Sequence, residues 1–177
     1  MKVARNLLFL VGLITILIVI NVQIRQKEEI IDYGRTVLLR LQPIDPRSVM
    51  QGDFMRLRYN AQIQERSTLD KAGEAATSTN IPWNGQVVYR LLDGNIARLE
   101  RIYKGGSLQP NEHLLDYKLQ KSRNDLEFIF SADSFFFQEG HAKHYENARY
   151  GVLKVASNGS SVLIGLANND GHIIKPQ

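Results

Sequence analysis

The chain has 177 residues, with 22 Lys or Arg against 18 Asp or Glu and no cysteine. Disulfide frameworks, thiol catalysis and cysteine metal sites are therefore excluded. Beyond Asp32 the balance is 18 basic against 15 acidic residues, too even for a nucleic-acid surface, and no nucleic-acid partner is expected.

From Leu7 to Ile24 the run LLFLVGLITILIVINVQI carries no charge. At about 1.5 Å rise per residue it is about 27 Å long, close to the hydrocarbon thickness of a bilayer, and it reads as one membrane-spanning helix. Lys2 and Arg5 before it would also suit a cleaved signal peptide. The run is long for that, and Val22-Gln23-Ile24-Arg25 offers no small residue at a cleavage position, which favours an uncleaved signal anchor. Arg25 and Lys27 follow the span as closely as Lys2 and Arg5 precede it, so charge bias alone does not orient it. The short N-terminal tail is the easier part to leave in the cytoplasm. Residues 1–32 are therefore expected to be the tail and signal-anchor helix of a single-pass bacterial inner-membrane protein. Residues 33–177, one domain of ordinary size, are expected in the periplasm.

The charged stretch RQKEEIIDYG continues the helix out of the membrane, and Gly34 is expected to end it in the left-handed cap conformation. Thr36–Leu41, rich in Val and Leu, reads as a strand. Pro43 and Pro46 mark a loop that Gly52 closes. From Phe54 to Tyr59 the alternation is strict, with Phe54, Arg56 and Arg58 on one face and Met55, Leu57 and Tyr59 on the other, as in a half-buried strand. Asn60–Asn80 reads as a short helix and a polar loop.

Three hairpins follow. Gln86–Leu92 and Ile96–Tyr103 flank Asp93-Gly94-Asn95, a strong turn signal, and Lys104-Gly105-Gly106 ends the pair. Glu112–Gln120 and Leu126–Ser131 flank Ser122–Asp125, and Tyr150–Ala156 and Ser161–Leu166 flank Asn158-Gly159. Ser134–Ala148 (SFFFQEGHAKHYENA) shifts to a helix-like composition and is expected to lay a helix or two short helical turns across one mouth or edge of the sheet. The expected fold is mainly β (α+β): an N-terminal transmembrane helix, then an antiparallel β-rich barrel or sandwich with one helical insertion.

The run Gly52-Asp53-Phe54-Met55-Arg56-Leu57-Arg58-Tyr59 resembles the signature of the GDYXXLXY family of bacterial membrane-anchored proteins, with Phe54 in place of its tyrosine. Asp45-Pro46-Arg47-Ser48, Phe135–Gly140 and Ala148–Gly151 look like the same family's pattern, so the resemblance covers most of residues 36–166. It implies a location and an architecture, and members that are partners of neighbouring polytopic membrane proteins, but no activity or cofactor. From the residues themselves, Gly52 permits a sharp turn, Asp53 can accept from backbone N–H groups in it, and Leu57 and Tyr59 can pack inward. The functional reading of the same stretch is a polar hairpin end where Asp45, Arg47, Ser48, Asp53 and Arg56 bind a partner or an anionic group.

A strand that opens with Gly-Asp and then alternates is also similar to the signal peptidase family, in which a nucleophilic serine lies eight residues before that glycine and a lysine is its base. Here the corresponding residue is Ile44. Ser48 lies at another offset, and Arg98 and Arg101 cannot act as neutral bases. On a helix His141 and His144 share a face near Glu139, so a labile Zn²⁺ or Cu²⁺ site is a weak candidate, and no cofactor is expected. His113 and His172 stand isolated in the sequence. Phe135, Phe136 and Phe137 cannot all face the core. Glu139 is expected to reach Arg47 or Arg149 as a carboxylate–guanidinium pair.

The expectation is a membrane-anchored periplasmic binding or accessory module for an integral membrane partner, held in the bilayer through residues 7–24. The alternative is an envelope hydrolase or metal-dependent enzyme using Ser48 or His141 and His144. A third possibility is ligand sensing in the envelope through movement of Ser134–Ala148.

Overall fold

A computed structural model describes residues 2–42, 54–61, 63, 81–122 and 125–175. The apolar run and its charged continuation form one helix, α1 (Lys2–Tyr33). Within it Phe9–Tyr33 contains an 18-residue stretch of mean hydropathy 1.8, long and apolar enough to cross a membrane, and none of that stretch is buried against the rest of the chain. Its large side chains are displayed on all sides, as when a helix is meant for an apolar solvent rather than a protein core.

Among the described residues nine strands follow: β1 (Arg35–Arg40), β2 (Phe54–Arg56), β3 (Asn84–Leu91), β4 (Ala97–Ile102), β5 (Glu112–Ser122), β6 (Asp125–Ile129), β7 (Ser134–Phe136), β8 (Tyr150–Val155) and β9 (Ser161–Ala167). These strands pair antiparallel, in the orders β1-β8-β9, β2-β7 and β4-β3-β5-β6, and the sheets curve into a half-barrel. The three expected hairpins are β3–β4, β5–β6 and β8–β9. Their turns use the conformations their sequences offer: Gly94 at φ 75°, Asn95 at φ 62° and Gly159 at φ 97°.

Period-two alternation decides what faces inward. Val37, Leu39 and Leu41 of β1 and its extension join Val87, Tyr89, Leu115, Tyr117, Leu119, Phe128, Leu153 and Leu166 in the main core. Leu38 points the other way, into a smaller cluster with Tyr150, Val152 and Ala167. Val152 and Leu153 serve different clusters by the same alternation, and the β8–β9 register shifts between them. The sheets are tied by an isolated Leu41–Tyr59 bridge, a parallel Leu38–Ile96 bridge and an Arg58–Glu127 ion pair at 3.3 Å.

Two expectations change. Ser134–Ala148 opens as a strand, because Ser134, Phe135 and Phe136 pair with Arg56, Met55 and Phe54, and only Ala142–Tyr145 forms a helix (α2) of one turn. Gly34 does end α1, its N–H donating to Ile30 O at 2.9 Å, but it is absent from the left-handed residues. Glycine is needed there for closeness instead: a Cβ would strike Ile30 O and stand 3.2 Å from the backbone N of Val155. Most of Asn60–Asn80 and the loop between Gln42 and Phe54 lie outside the described residues.

Candidate functional site

Three of the four motif segments converge on one structural unit, and the fourth, Asp45–Ser48, lies outside the described residues. β2 carries the signature, β7 carries the phenylalanine run, and they pair Phe54 with Phe136 and Met55 with Phe135. Burial along residues 54–59 alternates as expected, with Met55, Leu57 and Tyr59 in the core and Arg56 and Arg58 exposed. Tyr59 packs edge-on against Phe130 at 5.5 Å and donates its hydroxyl to Ala132 O at 2.9 Å; burial raises its pKa well above the ordinary phenol value. The ring fits because Gly151 has no side chain, since a Cβ there would sit 3.3 Å from Tyr59 Cε1. Phe135 and Phe137 grip Tyr145 of α2 at 5.2 and 5.3 Å, whereas Phe136 is 74% exposed and rests on Phe54 at 5.7 Å. The phenylalanine run thus divides between core and outer surface, as three consecutive positions must.

The family model for the GDYXXLXY protein matches residues 16–166. The chain belongs to the GDYXXLXY family. No curated protein and no solved structure matches it significantly. In this GDYXXLXY protein the described letters of the signature have structural work: Leu57 and Tyr59 fill the core, and the Ala148–Gly151 segment supplies the space for Tyr59.

Among the expected site residues, Asp45, Arg47, Ser48 and Asp53 lie outside the described residues. Arg56 is exposed on β2, opposite Ser134. Arg149 is exposed and donates to Ala148 O at 3.0 Å and, at 3.5 Å, to the carbonyl of Glu146 just after α2. Glu139 is exposed, and no ion pair joins it to Arg149 among the described residues. His141 precedes α2, and His144 Nε2 lies 2.7 Å from Lys175 O, an approach that occupies one of its two ring nitrogens. Among the described residues no three His, Asp or Glu side chains are grouped to hold a metal.

A second site, which spacing along the chain does not reveal, lies where α1 meets the sheets. A cleft of about 710 Å³ is bounded by Gln26–Gly34 on the helix side, by Arg35, Tyr89, Glu112 and His113, by Leu108, and by the β8–β9 turn. His113 is not isolated, because its Nε2 lies 3.0 Å from Arg35 Nη1 and its ring lies 5.5 Å from that of Tyr89. Arginine can only donate, so His113 accepts at Nε2 and is neutral, with its proton on Nδ1. Burial, and then the Arg35 charge, lower its pKa below the ordinary 6.5, while burial pushes Tyr89 up to about 12.

Beside it the side chain of Glu112, only 2% exposed, is gripped at both oxygens. Arg101 donates Nη1 to Oε1 at 2.7 Å and Nη2 to Oε2 at 3.0 Å, the Gln109 N–H donates to Oε2 at 3.0 Å, and Arg90 Nη2 approaches Oε1 at 3.4 Å. The Arg101 hydrogen bonds, then the Gln109 N–H, lower the Glu112 pKa to about 2. This cluster pins the 103–111 loop, and with it Leu108, at the rim of the cleft. Arg101, considered in the sequence only as an unsuitable base, is a structural clamp.

Proposed function

We propose that this GDYXXLXY protein is a single-pass accessory protein of the bacterial inner membrane, whose periplasmic β-rich domain binds an integral membrane partner. The observation that carries the reading is α1: a helix with a membrane-length apolar segment buried against nothing, continuous with a close backbone joint to the β domain at Gly34. In water such a surface is unfavourable, and a bilayer or another membrane protein covers it. With the short N-terminal tail in the cytoplasm, the domain is outside.

Two features favour a protein partner over simple anchoring. Asn21, within the apolar run, bonds Leu17 O at 2.8 Å through one amide N–H and leaves its other amide groups outward. In hydrocarbon such groups seek a neighbouring helix. At the far end of β1 from α1, the exposed Phe136 on Phe54 next to Arg56 offers an aromatic and cationic patch, the residue types enriched in interface centres.

The test is affinity capture of the full chain from solubilised membranes, with and without charge reversal at Arg47 and Arg56. A polytopic membrane protein retained by the wild type and lost on Arg56→Glu is the expected result. If the wild type retains no membrane protein, the accessory reading fails.

A further inference from the structure

We propose that the cleft between the last turns of α1 and the paired strands β3 and β5 binds a phosphate-bearing anion, presented as the headgroup of a bilayer lipid, with Arg35 and Lys27 as its cationic contacts. The inference goes beyond partner binding and rests only on α1 lying in the membrane.

Position supplies the first argument. Gln26, Lys27, Ile30 and Tyr33 line the cleft, and they begin two residues after the uncharged run ends at Ile24. At about 1.5 Å per residue the cleft therefore opens within about two to three helical turns of the hydrocarbon edge, at headgroup depth. Its 710 Å³ falls within the range of about 300–1,000 Å³ in which ligand pockets lie, ample for a glycerophosphate group.

Charge and preorganisation supply the second. Arg35 is exposed and has no carboxylate partner among the described residues. Its Nη1 is held by neutral His113, which orients the guanidinium without neutralising it and leaves other N–H groups for two-pronged contact with a phosphate. Lys27 adds a second cation from the helix side. Of the acids in the lining, Glu112 has its charge taken up by Arg101 and Arg90, which leaves Glu29 as the opposing one. Ser157 lines the opposite wall with a hydroxyl, and Leu108, 37% exposed, makes an apolar lip of the kind a glycerol and acyl stem would cover. His113 is a positioning residue in this arrangement, and Arg35 the contact.

The test uses the full chain in detergent micelles, titrated separately with dihexanoyl phosphatidylglycerol, dihexanoyl phosphatidylcholine, glycerol 3-phosphate and inorganic phosphate. The side-chain NMR signals of Arg35 and His113 report occupancy. Saturable shifts with phosphatidylglycerol are expected, tighter than with the zwitterionic lipid, and weaker by about tenfold in Arg35→Gln, the loss expected for a charge-assisted contact. Leu108→Trp, which fills the lip without touching the charges, is expected to weaken binding too, and Arg58→Gln, on the Glu127 ion pair, to leave it unchanged. Binding of glycerol 3-phosphate or phosphate as tight as that of the lipid supports the anion site and names a free anion as the source. No saturable shift with any of the four, or equal affinity in wild type, Arg35→Gln and Leu108→Trp, overturns the proposal. Carbonate extraction of the chain from membranes is read separately: release into solution defeats the anchoring, whereas the free-anion titrations still judge the cleft.

Discussion

Tyr59 and Gly151 show how a family signature arises from packing. The phenol must be buried, its hydroxyl must find Ala132 O, and the ring needs a neighbour with no side chain. Tyr59→Phe is expected to cost about 1 kcal/mol in chemical denaturation, since a half-buried carbonyl loses its donor. Gly151→Val should cost about 1–3 kcal/mol by overpacking against the same ring. Glu112 makes a different prediction. Its carboxyl is held at about 2 in the folded protein against 4.5 without its partners, so the stability it contributes is fully present above about pH 5 and is lost as pH falls toward 2. Denaturation midpoints of wild type and Glu112→Gln should therefore differ most at neutral pH and converge on acidification. The pairing of Tyr59 with the core was legible from alternation. The Arg101–Glu112 and Arg35–His113 contacts were not, because the residues come from different strands and no local periodicity links positions 35 and 113.

At the scale of elements, hairpins were the most legible feature. Asp93-Gly94-Asn95 and Asn158-Gly159 combine residues that accept positive φ with flanking apolar runs, so the turn and both strands are written in one short window. Ser134–Ala148 misleads for the opposite reason. Its composition suits a helix, but β2 offers an open edge to Ser134–Phe136, and strand pairing with a distant partner overrides local preference. Gly34 misleads in a different way: the glycine at a helix end suggests a left-handed cap, whereas the constraint is closeness, first to Ile30 O in the last turn of α1 and then to the backbone N of Val155 on β8. The β8–β9 turn is a joint between sheets. Gly159 O accepts the Asp116 N–H at 2.9 Å, and Gln86 Nε2 reaches both Asp116 Oδ1 and Asn158 O at 2.8 Å. Gly159→Val would force a β-branched residue to φ 97° and bring its Cβ to 2.8 Å from Gln86 Nε2. Amide exchange at Asp116 is expected to accelerate by about tenfold, as the roughly 1–2 kcal/mol cost of positive φ loosens the joint.

For the whole molecule, an apolar helix with nothing packed on its membrane-length segment and a β domain with its motif residues at the end of β1 remote from that helix make a two-ended arrangement. One end is the apolar helix, which carries the outward Asn21 and which the proposed function places in the bilayer. The other presents Arg56 and the Phe136–Phe54 pair. The long apolar helix was legible because 18 uncharged positions form a local signal, while the cleft where the helix joins the domain depends on tertiary contacts among α1, β3, β5 and β8. The central claim is that this arrangement serves an integral membrane partner, and photo-crosslinking in intact membranes tests it most directly. The crosslinking residue is placed at Ile18, on the face of Asn21, and separately at the exposed Phe136. The account predicts that both positions yield adducts with the same polytopic membrane protein, and that Asn21→Leu weakens the adduct at Ile18. Adducts with lipid alone at Ile18 and none at Phe136 would contradict it.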